Sequence, residues 1–212
     1  MDGKNEDYDS FEQYSHNRDA YKQIRGRVAD ELDSFPKYII AEPTNNDVFI
    51  SMECLRLRKY LMNFGTKENC KQKNCCQYIK YLLNKSVRSD YKLNTSSFDI
   101  YKSYMNHENN NNNNNEIMNF CLPKIYYMDV GKYNKIDKLY AAYEKCQSFI
   151  SNKGNTNSCL HAKICERAYN DIINPIYTNT GDTKFCKILK VLKDFLEGYE
   201  PQSTGDCNSR FS

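Results

Sequence analysis

The sequence predicts an all-α protein whose helices are cross-linked by disulfides. Apolar residues recur at spacings of three and four along most of the chain, which is the period of an amphipathic helix. No segment alternates apolar and polar residues at the period of two expected for a half-buried strand. The 212 residues include 10 cysteines, several of them at apolar positions of the predicted helices. We therefore predict a bundle of about seven or eight helices, stapled by disulfides and sharing one core.

The composition argues against several classes of protein. The 30 basic and 27 acidic side chains alternate along the chain and leave a net charge of +3. This charge is too small and too dispersed to predict a nucleic-acid partner. The apolar runs are far shorter than the roughly 20 residues that span a bilayer, and the first residues lack the apolar core of a signal peptide.

The first predicted helix covers residues 8–34. Aromatic and aliphatic residues recur there at a seven-residue spacing until Pro36 ends the pattern. Gly26 falls inside the helix and weakens it by up to ~1 kcal/mol relative to alanine.

The next two predicted helices form a hairpin. One is capped by Asn46 or Asp47 and ends at Gly65. The other covers residues 76–87 by the same apolar spacing. The connection, residues 66–74, is short and polar, so the two helices should be antiparallel neighbours.

An asparagine-rich segment divides the chain. Ser96 and Asp99 form an approximate capping box, which predicts a short helix just before this segment. Residues 106–116 offer nothing apolar to bury, so we predict a flexible, disordered surface loop. The loop separates an N-terminal part, residues 1–105, from a C-terminal helical unit, residues 117–212.

The C-terminal unit begins with a predicted short helix around Cys121. Three longer helices follow, with predicted starts near Asn134, Ser158 and Asp182. A glycine or proline ends each of them.

The cysteines could be metal ligands, catalytic thiols or disulfides. Their spacing lacks the C-x2-C pairs of zinc sites. His161 lies near Cys159 and Cys165 in sequence, but proximity to two cysteines expected to be bridged does not make a catalytic dyad. We therefore predict no enzyme, no cofactor and no metal, and we assign all ten to disulfides: Cys54, Cys70, Cys75, Cys76, Cys121, Cys146, Cys159, Cys165, Cys186 and Cys207.

Helix geometry limits the pairing in the first half of the chain. Cys54 should face the partner helix of its hairpin and meet Cys70, Cys75 or Cys76, because a disulfide needs Cα atoms roughly 4.4–6.8 Å apart. Neighbouring positions on a helix point about 100° apart. Cys75 and Cys76 should therefore have different partners.

In the C-terminal unit, four cysteines should make two disulfides among themselves: Cys146, Cys159, Cys165 and Cys186. Cys121 and Cys207 then remain and should pair. That disulfide would hold the C-terminal tail to the middle of the chain.

Three motifs carry a family resemblance. Residues 139–143 read LY-x2-Y, residues 159–170 read C-x2-A-x2-C-x3-YN, and residues 185–189 read FC-x2-L. Together they resemble the C-terminal half of the Plasmodium interspersed repeat (PIR, or VIR-type) variant surface proteins. The segment 54–83 is partly similar to the N-terminal half of that family.

The resemblance implies display and adhesion. Family members are exported antigens at the surface of infected red cells, implicated in antigenic variation, adhesion to host receptors and immune evasion. They often carry a transmembrane helix after the ectodomain. The resemblance implies that residues 1–212 form such an ectodomain, with a host cell-surface receptor protein or an antibody as partner. Any membrane contact would come from a helix outside this chain.

Aromatic residues in excess of what one helix face can bury are the candidate binding residues: Tyr126, Tyr127, Tyr133 and Tyr177. The alternative is that these rings cap the core and keep their hydroxyls in water. A second functional class is also open, an exported intracellular scaffold or trafficking protein whose cysteines stay reduced.

Overall fold

The fold is all-α, as predicted. The computed structural model describes residues 7–26, 28–41, 45–90, 93, 95–111, 115–151, 158–173 and 182–198, and these contain no strand. The described residues form nine α-helices: α1 (Phe11–Arg25), α2 (Asp47–Met62), α3 (Lys67–Lys73), α4 (Cys75–Lys85), α5 (Ser97–Asn111), α6 (Glu116–Cys121), α7 (Val130–Ser151), α8 (Ser158–Ile173) and α9 (Thr183–Glu197). None of the described helices combines the length and apolarity required to cross a membrane.

The structure divides into two compact units. The terminal unit contains Met1–Tyr14 and Asn134–Ser212, and the central unit contains Ser15–Tyr133. The divisions fall within α1 and α7, whereas the sequence placed its division in the asparagine-rich segment. Each unit buries its own set of large side chains.

The core of the central unit is built on α2, α4 and α5. Apolar and aromatic residues at helical spacing on these elements are completely or almost completely buried: Leu57, Tyr60, Leu61, Ile79, Leu83, Tyr101 and Tyr104. α2 packs against both α4 and α5, and α3 packs against α4 and α6. The predicted apolar stripes of these helices are therefore the surfaces that meet.

The first helix is shorter than predicted. α1 ends at Arg25, Gly26 lies in a turn, and Ala29–Ser34 forms a separate 3₁₀ helix. Glycine has the greatest backbone freedom and disfavours the helix interior. Val28 and Phe35 continue the seven-residue spacing past Gly26 and are buried. The spacing therefore marks core residues even though the α-helix is not continuous.

The connection at residues 66–74 is not a simple loop, because it contains α3. Thr66 caps this helix by accepting a hydrogen bond from the Asn69 amide at 3.2 Å. Asn74 then adopts a left-handed conformation, with φ of 55°, between α3 and α4. α2 ends at Met62, three residues before the predicted end at Gly65, and Gly65 has a φ of 69° in the connection that follows.

The prediction of a loop over residues 106–116 was wrong in its first half, since α5 extends to Asn111. Asn109 is buried, and its amide donates a hydrogen bond to Asn119 Oδ1 at 2.8 Å. Asn115 caps α6 by accepting from the amides of Ile117 and Met118. Specific side-chain hydrogen bonds therefore order asparagines that have no apolar surface to bury. Residues 112–114 lie outside the described part of the chain.

The C-terminal helices α8 and α9 begin where they were predicted. Asp182 caps α9 by accepting a hydrogen bond from the Phe185 amide at 3.0 Å. α7 starts at Val130, before the predicted Asn134, because the Asp129 carboxylate accepts from the Lys132 amide at 2.8 Å.

Candidate binding surface

Two of the candidate tyrosines lie side by side on an extended segment, residues 125–129, just before α7. Ile125 and Met128 of this segment are buried, with 0% and 1% of their surface exposed. Tyr126 and Tyr127 between them are 40% and 39% exposed. Ile125 and Met128 thus anchor the segment in the core, and the two tyrosine rings lie at the surface.

Asn84 on α4 fixes the backbone of this segment. Its Nδ2 donates to the carbonyl of Tyr126 at 3.1 Å and to the carbonyl of Lys80 at 2.9 Å. Its Oδ1 accepts from the Met128 amide at 2.9 Å. Arg88 also donates to the Met128 carbonyl. Asn84 is completely buried, so these bonds are shielded from competition by water.

Cationic side chains lie over the tyrosine rings. Lys80 Nζ is 4.4 Å from the centroid of the Tyr126 ring and 3.3 Å from its hydroxyl. The Arg88 guanidinium is 4.0 Å from the Tyr127 centroid and 4.9 Å from that of Tyr133. Such cation–π contacts restrain both partners. We call the exposed Tyr126 and Tyr127, together with the buried Lys80 and the half-buried Arg88 that contact their rings, the tyrosine–cation surface.

The other two candidate tyrosines do not join this surface. Tyr133 is only 7% exposed and stacks on Tyr81 with ring centroids 5.9 Å apart, so its prediction as an exposed binding residue was wrong. The Tyr133 ring nevertheless contacts the Arg88 guanidinium. Tyr177 lies outside the described residues.

Sequence reasoning missed Lys80, Asn84 and Arg88. Their spacing of four carried a signal, because residues four apart share one face of a helix. Lys80 and Asn84 belong to α4, and Arg88 lies in the π-helical turn Ser86–Asp90 that follows it. A polar stripe on an otherwise buried helix is an indicator of buried hydrogen bonds.

Three disulfides are seen among the described cysteines: Cys70–Cys75, Cys76–Cys121 and Cys146–Cys165. Their Cα atoms are 5.0, 5.2 and 4.5 Å apart, within the range that a disulfide requires. Cys159 is disulfide-bonded as well. The different partners of Cys75 and Cys76 were predicted correctly, and Cys146 with Cys165 is a pair within the predicted group of four.

Three other predictions about the cysteines were wrong. Cys54 is a buried free thiol near Tyr104 of α5, and its predicted partners Cys70, Cys75 and Cys76 are bonded to other cysteines. Burial and, secondly, the Glu53 carboxylate raise the pKa of Cys54 well above its ordinary value.

Cys121 bonds to Cys76 and is therefore not the partner of Cys207, which lies outside the described residues. Cys186 is a thiol at an exposed position of α9. Two of its three predicted partners, Cys146 and Cys165, are joined to each other, and the third, Cys159, is disulfide-bonded elsewhere.

The motif residues of the C-terminal half form the core of the terminal unit. The hydroxyls of Tyr140 and Tyr143 donate to Asp9, the latter to its carbonyl at 2.9 Å. Tyr169 donates to the Leu189 carbonyl at 3.4 Å, which links the second motif to the third. These tyrosines are buried. Tyr140 and Tyr143 hold α7 to the segment before α1, and Tyr169 holds α8 to α9.

A second exposed apolar surface was not predicted. Tyr38, Val48 and Phe49 are 73%, 54% and 40% exposed. Val48 lines a cleft of about 410 Å³, and the other lining residues include Phe35 and Ile40. Their separation along the sequence hides the surface until α2 is folded against the preceding 3₁₀ helices.

One group of side chains among the described residues has the arrangement of a metal-ligand set. The Sγ atoms of Cys70, Cys75, Cys76 and Cys121 all lie within 4.8 Å of one another. The standard spacing rules missed this group, because Cys121 joins it from 45 residues beyond Cys76.

Comparisons with protein-family models, curated proteins and solved structures found no match to this chain. The resemblance described above therefore depends on the motif residues themselves.

Proposed function

We propose that the chain is the ectodomain of a PIR-type variant surface antigen, exported to the infected red cell, where it binds a host cell-surface receptor protein and catalyses no reaction. The observation that carries this proposal is the tyrosine–cation surface. Tyrosine and arginine are enriched among the residues that dominate the energy of protein interfaces. A backbone already fixed by Asn84 also lowers the entropy lost when a partner binds.

The disulfides support a location outside the reducing cytosol. Seven of the cysteines in the described part of the chain are disulfide-bonded, and such bonds persist mainly in oxidising compartments. The buried motif residues support the same proposal, because a core held by its own contacts leaves exposed positions open to variation. Variation at exposed positions suits an antigen under immune selection.

The test is a binding screen of the folded chain against host cell-surface receptors, followed by a comparison of two variants. Tyr126→Ala/Tyr127→Ala removes both rings and should weaken binding by about 10-fold or more, as expected for truncated interface anchors. The matched control is Tyr38→Ala, which removes an exposed ring of the same unit. It should leave affinity within about two-fold.

Two outcomes would contradict the proposed site and its framework. Equal affinity of the double variant and the unchanged chain would remove the tyrosine–cation surface from the interface. Undiminished binding after reduction and alkylation would mean that recognition does not need the cross-linked fold.

The second candidate function is that of an exported intracellular scaffold or trafficking protein with reduced cysteines. The observation that supports it is the convergence of four sulfurs. They have the arrangement of a metal-ligand set, and cysteines must be reduced to bind a metal ion. Counting reactive thiols on protein recovered from infected cells distinguishes the two. The surface antigen should protect the seven described disulfide-bonded cysteines, together with the partner of Cys159, from alkylation. The scaffold should instead expose all 10 thiols after denaturation without reductant.

A further inference from the structure

Four cysteines from three helices converge inside the central unit. Cys70 comes from α3, Cys75 and Cys76 begin α4, and Cys121 ends α6. All four are at most 2% exposed. Two disulfides require only two separate pairs of cysteines. Here the two pairs are in contact, and all four sulfurs lie within 4.8 Å of one another.

The distances between sulfurs of different disulfides match a tetrahedral metal site. Cys70 Sγ is 3.8 Å from both Cys76 Sγ and Cys121 Sγ, and Cys75 Sγ is 3.9 Å from Cys121 Sγ. A Zn–S bond of about 2.3 Å gives a tetrahedron whose edges are about 3.8 Å long. Three edges of the tetrahedron are therefore present while the sulfurs are oxidised.

The local structure favours thiolates at this point. Cys75 and Cys76 occupy the first turn of α4, an 11-residue helix. The partial positive charge of a helix N-terminus stabilises an anionic sulfur. The left-handed Asn74 lets the chain reverse between α3 and α4, so that Cys70 meets its two neighbours.

We infer that the four thiols, when reduced, bind one Zn²⁺ ion in a tetrahedral site of four thiolates. A thiol reductant supplies the electrons: two disulfides and four RSH give four cysteine thiols and two RSSR. Zn²⁺ then displaces four protons to form a dianionic complex. This site goes beyond the proposed function and does not depend on it, because the same helices would be joined by metal before oxidation and by disulfides after it.

The test uses the full chain, reduced by a phosphine under anaerobic conditions and titrated with Co²⁺ as a spectroscopic substitute for Zn²⁺. We expect one equivalent to give the ligand-field and thiolate charge-transfer bands of tetrahedral cobalt, and Zn²⁺ to displace it. Cys75→Ser and Cys121→Ser should each abolish or strongly weaken these bands. Cys146→Ser, which removes a buried thiol of the terminal unit, should leave them unchanged.

Thermal unfolding of the same reduced samples provides a second readout. Zn²⁺ should raise the melting temperature of the reduced chain and of Cys146→Ser, but not of Cys121→Ser. The inference is overturned if the reduced chain binds no stoichiometric metal. It is equally overturned if Cys75→Ser and Cys121→Ser keep the cobalt spectrum, since the metal would then be held by other cysteines.

Discussion

At the scale of single residues, Asn84 connects the buried helix α4 with the exposed tyrosines. Its side-chain amide bonds three backbone groups, two of them in the 125–129 segment. An amide can donate and accept at once, which suits a position facing both a carbonyl and an N–H group. No apolar side chain of similar size could replace these bonds.

We predict that Asn84→Ala lowers the free energy of unfolding by about 2–3 kcal/mol, because it leaves the Met128 amide and the Tyr126 carbonyl without this partner in a buried place. Denaturant unfolding measures the loss, and hydrogen exchange should show faster exchange at the Met128 amide. Asn63→Ala, at an exposed position of the same unit, is the control and should change stability by less than about 0.5 kcal/mol. Equal losses in both variants would contradict the role given to Asn84.

The sequence allowed Tyr126 and Tyr127 to be singled out but not the residues that hold them. Aromatic excess is visible in a one-dimensional pattern, whereas Asn84 is one asparagine in an asparagine-rich chain. Its role depends on a contact with a segment 42 residues away. The prediction that Cys54 forms a disulfide was wrong for a similar reason. Its burial was predicted correctly, but its position near Tyr104 of α5 was not.

At the scale of elements, the start of α9 is stabilised by a charged network in the terminal unit. Asp182 accepts hydrogen bonds from Lys135 Nζ and the Tyr8 hydroxyl, each at 2.7 Å, and from the Phe185 amide. Burial acts to raise the pKa of Asp182. The hydrogen bonds from Lys135, Tyr8 and Phe185 outweigh burial, and the pKa of this carboxyl falls below its ordinary value.

We predict that Asp182→Ala destabilises the protein by about 1–2 kcal/mol at neutral pH, since it removes a helix cap and its partners. A lowered folded-state pKa means that the ionised carboxylate contributes stability above the unfolded-state pKa of about 3.9. This contribution disappears as the pH falls through the folded-state value.

Urea unfolding of both proteins from pH 7 into the acid range gives the measurement for Asp182. The difference between them should shrink below about pH 4. Asp194→Ala, an exposed acidic residue of the same helix, provides the comparison. A difference that grows on acidification would contradict the predicted sign.

Helix ends were predictable where a cap residue adjoins an apolar stripe, as at Asp182. They were not predictable where order comes from distant polar partners. α5 continues through asparagines because Asn109 bonds to Asn119, and α3 forms in a polar connection because Thr66 caps it and Cys70 is buried and bonded. Local composition contains neither the partner nor the disulfide.

At the scale of the whole molecule, disulfides act within both units. Cys146–Cys165 belongs to the terminal unit, and Cys70–Cys75 and Cys76–Cys121 belong to the central unit. All-α architecture and disulfide cross-linking were predictable from period and cysteine count. The pairing was only partly predictable, because it depends on which helices meet.

We predict that replacing each pair by serine destabilises the protein in the order of loop length. The separations are 45 residues for Cys76–Cys121, 19 for Cys146–Cys165 and 5 for Cys70–Cys75. The chain-entropy relation gives losses of about 4, 3 and 2 kcal/mol. Denaturant unfolding of the three double variants tests the order, and a greatest loss for Cys70–Cys75 would mean that restriction of the unfolded chain is not the main contribution.

The hydrogen bonds that Asn84 and Arg88 make to residues 126 and 128 reach only main-chain atoms. Every amino acid has a carbonyl, so the grip on position 126 is indifferent to the side chain there. Substitution of both tyrosines would therefore leave the hydrogen bonds from Asn84 and Arg88 to the backbone in place. The exposed side chains can therefore vary while the backbone beneath them keeps its conformation.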